Sequence, residues 1–127
     1  MNKMLDLLSG LIGAALIVFG IYAIIATTAI TDMTALVPEG ATGLNEARAI
    51  YAGSFWAMGA LILYALWTPR ARQALLRAVG IIFIGFVIAR FISIAMDGFD
   101  PILVGPIVSE IIVALVLLLA SRSPRSV

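Results

Sequence analysis

The chain has 127 residues, 63% of them apolar and 12% charged, with a formal net charge of +1 and neither cysteine nor histidine. Soluble domains are about 45–50% apolar and about 25% charged, so a disordered chain, a disulfide scaffold and an ordinary soluble enzyme are excluded and an integral membrane protein is indicated. The missing residue types remove thiol chemistry, zinc sites built on thiolate or imidazole, histidine acid–base catalysis and histidine-ligated haem, and the small net charge leaves no footprint for nucleic acid.

A helix crossing a hydrocarbon core of about 30 Å needs about 20 mostly apolar residues. Four segments qualify, at about 7–27, 45–67, 74–96 and 101–120. The expected fold is all-α, a single transmembrane domain over 1–127 folded as an integral membrane four-helix bundle. Lys3 and the small residues at 26–29 imitate a signal peptide, but the first apolar run exceeds the roughly 7–15 residues of a signal core, so it is read as a retained helix. The connection 28–44 carries Pro38, Gly40 and Gly43 after a threonine-rich approach. It is expected as a solvated connector, though it alone among the loops is long enough to fold over something. The loop 68–73 holds Arg70 and Arg72, with Arg77 just inside the third helix, whereas 97–100 holds only acids. Lys3, Arg70, Arg72, Arg77, Arg122 and Arg125 thus fall on one side of the bilayer, and the positive-inside rule puts both termini in the cytoplasm. Tyr64 and Trp67 end the second helix where an aromatic belt would sit.

The remaining ionisable residues in or beside the spans gather in the opposite half: Glu46, Arg48, Arg90, Asp97 and Glu110. Charges at membrane depth pair, snorkel or line a wet cavity. Arg90 precedes Asp97 by seven residues, a depth of about 10 Å at the helical rise, and Glu110 lies about 13 Å beyond Pro101 on the same scale. The two depths match, and a guanidinium can meet a carboxylate with two parallel hydrogen bonds. Ser93 and Asp97 share the Arg90 face, so a polar stripe is expected to run outward from it. Such a pair is either a structural clamp fixing helix register or part of a binding site. Pro106, next to Glu110, is expected to free the carbonyl of Ile102.

Asn45 suits the N-cap of the second helix and Glu46 its first turn. Arg48 sits a turn further in, with Tyr51, Ala52 and Phe55 on its face. Glu46 projects along Ala49, Gly53 and Ala57, a small-residue stripe that reads as a helix-packing seam. Arg48 is expected either to snorkel to the surface or to turn toward Glu110 or Asp97. Ser9, Gly13 and Gly20, and likewise Gly80 and Gly85, read as packing positions.

The run Asn45-Glu46-Ala47-Arg48-Ala49-Ile50-Tyr51-Ala52-Gly53, with Arg90 late in the third helix, Asp97 closing it and Glu110 in the fourth, resembles the domain-of-unknown-function 4345 family of small bacterial four-helix membrane proteins. The resemblance covers nearly the whole chain. It implies a bacterial inner-membrane location and a shared pattern of Asn45, Glu46, Arg48, Tyr51, Arg90 and Glu110. It supplies no substrate.

Three functions stand open. The first is a non-enzymatic bundle whose charged cluster (Arg48, Arg90, Glu110, Glu46, Asp97, Tyr51, Asn45 and Ser93) faces the periplasm and binds a small anionic or amphipathic ligand or lipid, alone or as a homo-oligomer. The second is a helper subunit of a larger membrane complex, with the charges as clamps. The third, ranked last, is a membrane-embedded enzyme. Paired carboxylates can do acid–base work, but the sequence offers no nucleophile–base set, no metal cluster and no cofactor motif. A cavity beside Arg90 would favour the first reading and a dry, fully paired cluster the second.

Overall fold

A computed structural model describes residues 2–123; Arg125, counted above on the basic side, lies outside them. The elements are α1 (Asn2–Ile25), a short α2 (Thr27–Met33), α3 (Gly40–Arg48), a π-helical turn (Ala49–Gly53), α4 (Ser54–Trp67), α5 (Pro69–Asp97), a 3-10 turn (Pro101–Leu103) and α6 (Val104–Arg122). No strand occurs among the described residues. The segment Gly40–Trp67 is one continuous span, and with Lys3–Ile25, Pro69–Asp97 and Pro101–Arg122 it gives four helices long and apolar enough to cross a membrane. The chain is a multi-pass membrane protein built as an all-α bundle. The helices form a ring in which α1 packs on α4 and α6, and α5 packs on the same two.

The helix ends follow from local chemistry. Thr68 alone separates the second and third spans, and Pro69 opens α5. Proline is tolerated there because the first helical N–H has no intrahelical partner. The third helix therefore takes in most of the loop expected at 68–73. Gly98, at φ +97°, ends α5, and its N–H donates to the Ile94 carbonyl at 2.9 Å, the usual use of glycine just past a helix. Asp100 Oδ1 accepts from the Ile102 N–H at 2.9 Å. Pro106 then falls in the first turn of α6, where a missing N–H removes no intrahelical bond. The Ile102 carbonyl that Pro106 was expected to free lies in the 3-10 turn ahead of the helix.

Two expectations for the second span are corrected. The helix begins at Gly40, with Glu39 at the N-cap, so Asn45 caps nothing and Glu46 is not in a first turn. Both lie inside α3, and both are exposed. The π turn also shifts helical register by about one residue, or about 100°. Ala49, Gly53 and Ala57 are consequently exposed, and Ala52 and Gly59 are buried instead. The seam against α1 runs along these two. A Cβ on Gly59 would lie 2.7 Å from the Gly13 carbonyl oxygen, and the Trp56 indole N–H donates to the Ile17 carbonyl at 3.2 Å.

Burial is uneven along the bundle. Ile62, Ala65, Leu76, Val79, Leu117 and Ala120 are fully enclosed, and all belong to the half that carries the termini. The loop half holds a smaller cluster of Ala23, Ile30 and Ala52, flanked by Phe19 and Tyr51. In α5 no residue is buried from Ile84 to Asp97.

Candidate functional site

The thin packing of the loop half leaves room around one ion pair. Arg90 Nε donates to Glu110 Oε2 at 2.8 Å and Arg90 Nη2 to Oε1 at 2.7 Å. The two hydrogen bonds run in parallel, the geometry a guanidinium prefers with a carboxylate. The Glu110 side chain is 12% exposed and that of Arg90 34%, so the acid is enclosed and the base borders open space. Nη1 of Arg90 makes no hydrogen bond among the described residues, which leaves its two donors free.

Cavities lie on both sides of the pair. One, of about 480 Å³, sits beneath α2 and reaches Leu16, Phe19, Phe83 and Val113. The other, of about 430 Å³, opens between the second and third spans and reaches Ser54, Met58 and Ser93. Tyr51, Phe55, Phe86, Arg90 and Glu110 border both.

Arg48 does not join them. Its Nε donates to Thr27 Oγ1 at 3.0 Å, so it turns neither to Glu110 nor to Asp97. Thr27 follows the helix break at Ala26 (φ −123°, ψ 51°) and donates in turn to the Ala23 carbonyl at 2.8 Å. At the other end of α2, Tyr51 Oη donates to Thr34 Oγ1 at 3.1 Å. Arg48, just before the π turn, and Tyr51, within it, thereby hold both ends of α2. The threonine hydroxyls of α2 satisfy themselves by bonding back to carbonyls three or four residues earlier: Thr31 reaches Thr28 at 3.0 Å and Thr34 reaches Ile30 at 3.2 Å. Much of the expected connector 28–44 is thus a helical strap over the larger cavity. Asp97, the last residue of α5, is exposed and borders neither cavity, so the polar stripe from Arg90 stops at Ser93. Glu46 and Asn45 also lie outside the cavities.

The sequence reading missed a buried cation. Arg72, 4% exposed, pairs with Asp6, and its Nη1 donates to the Ala120 and Ser123 carbonyls at 2.7 and 2.9 Å. From the sequence it is only a loop charge. The available signal was Asp6, the sole acid among the basic residues at that end of the chain.

Comparison with known families places this arrangement. The model of a family described as a domain of unknown function (DUF4345) matches residues 4–121, and the chain belongs to that family. No curated protein and no solved structure matches the chain.

Proposed function

We propose that the protein is a non-enzymatic four-helix protein of the bacterial inner membrane, with both termini cytoplasmic, that holds a small amphipathic molecule beside Arg90 and Glu110. The observation that carries this reading is the cavity of about 480 Å³ next to an ion pair with a spare donor. Ligand sites typically span roughly 300–1,000 Å³, with mostly apolar walls and a few placed polar groups. Of the two ligand chemistries expected, the amphipathic one fits better than the purely anionic one. Glu110 already neutralises Arg90, and Arg48, bonded through Nε to Thr27, borders neither cavity.

Native mass spectrometry of the protein, released from its own membranes in a mild detergent, tests the reading. Wild type should carry a stoichiometric small-molecule adduct, and Val113→Phe, which fills the larger cavity, should lack it. Absence of any adduct on wild type would defeat the proposal. The orientation is tested separately by a cysteine at Thr42, which should react with an impermeant maleimide in intact spheroplasts; labelling only after lysis would reverse it. The helper reading draws on one observation. Gly53, Gly85 and Gly105 have open space where a side chain would project, leaving room for another helix to approach closely. A purely monomeric mass in the same spectra would remove self-association from that reading, and absence of any co-purifying membrane protein would remove the larger complex.

A further inference from the structure

Resting on the ligand reading above, we propose that the ligand is a single-chain lipid with a zwitterionic head, an ammonium joined to a phosphate. The two cavities meet at Tyr51, Phe55, Phe86, Arg90 and Glu110. Three aromatic rings beside a carboxylate form the surroundings that recognise an ammonium, because ring faces and the carboxylate both attract a cation. The rings are held in place. Phe55 meets Phe19 edge to face at a centroid distance of 4.9 Å, and Phe86 meets Phe83 in the same way at 5.6 Å. The free Nη1 of Arg90 offers charge-assisted donors to a phosphate. The pair has no net charge, so a head carrying one charge of each sign keeps the site neutral, whereas a singly charged head leaves a net charge at membrane depth. The flanking chambers differ in how apolar they are, although each carries two serine or threonine hydroxyls. The one under α2 sets Leu16, Phe19, Phe83, Pro106 and Val113 against Thr34 and Ser109 and suits an alkyl chain. The other, with Ser54 and Ser93 against a smaller apolar wall, suits a head. One apolar chamber accommodates one chain.

The test is native mass spectrometry titration of the full-length protein with four ligands: lauroyl lysophosphatidylcholine, lauroyl lysophosphatidylglycerol, glycerophosphocholine and dilauroyl phosphatidylcholine. The first should bind at least about tenfold more tightly than each of the others. Phe86→Leu keeps an apolar side chain but removes the ring. It should weaken lysophosphatidylcholine by about tenfold and leave lysophosphatidylglycerol unchanged, a selectivity that general unfolding would not produce. Equal binding of the anionic lysolipid overturns the ammonium assignment. Equal binding of glycerophosphocholine or of the two-chain lipid overturns the single-chain assignment, and in either case the ligand reading survives. If none of the four binds saturably, the zwitterionic-lipid assignment falls, and the ligand reading stands or falls on the native adduct.

Discussion

Among the described residues, the bundle carries one ion pair near each end, and the two are built differently. At the end with the termini, Arg72 spends both terminal nitrogens on Asp6 at the start of α1 and on two carbonyls at the end of α6, with only its buried Nε left over. The core next to it is closed. At the loop end, Arg90 spends two nitrogens on Glu110 and keeps the third free, with a cavity on either side. Both are arginine–carboxylate pairs, so the residue types do not explain the contrast. What differs is the packing around them. A cation enclosed by backbone carbonyls and a dry core is a clamp. A cation left with unpaired donors beside empty volume is able to meet something else. Lack of buried residues beyond Phe83 in α5 creates that volume.

The comparison breaks first at Arg72. Arg72→Met would leave Asp6 and the last carbonyls of α6 without their partner. Removing one member of a buried pair costs about 3–5 kcal/mol, and the loss should be read as a lowered thermal midpoint in detergent. A change within error would mean that this end is as open as the other. Glu110→Gln at the loop end should cost less, about 1–3 kcal/mol, because water or ligand in the flanking cavities can reach Arg90. The double change Arg90→Met with Glu110→Leu should cost less than Glu110→Gln alone, since it strands no charge. If Glu110→Gln costs as much as Arg72→Met, the cavities are not accessible and Arg90 is a clamp too.

These differences were unevenly legible in the sequence. The four spans were visible because nearly charge-free apolar runs of about 20 residues match the thickness of a bilayer core. The Arg90–Glu110 pair was visible because, on a hairpin, the helical rise turns residue counts into matching depths. The strap α2 was not, since threonines at 27, 28, 31 and 34 are weak helix formers and the bonds that hold its ends come from Arg48 and Tyr51 on another span. Nor was the π turn, which no residue type marks. Missing it put Ala49, Gly53 and Ala57 on the packing seam in place of Ala52 and Gly59, and allowed Arg48 to be aimed at Glu110 when it reaches Thr27. Arg72 was legible only as a charge on one side of the membrane, because its partner carbonyls belong to a helix end nearly fifty residues away.

The smallest expected effect tests the packing contrast without touching a charge. Gly59 lies where α4 crosses α1, and a Cβ there would stand 2.7 Å from the Gly13 carbonyl oxygen. Backbone cannot rotate away as a flexible side chain can, so Gly59→Ala must push the two helices apart. Overpacking of this kind costs about 1–3 kcal/mol. Gly85 lies in the loop half of α5, with nothing within 4 Å of the same hypothetical atom. Gly85→Ala meets no clash there and gains helix propensity, so it should be neutral or stabilising by up to about 1 kcal/mol. Thermal unfolding of both variants in one detergent reads the difference directly. A loss at Gly85 comparable to that at Gly59 would require a neighbour packed on the loop half of α5, and the openness assigned to that end would then belong to the isolated chain and not to the protein in its membrane.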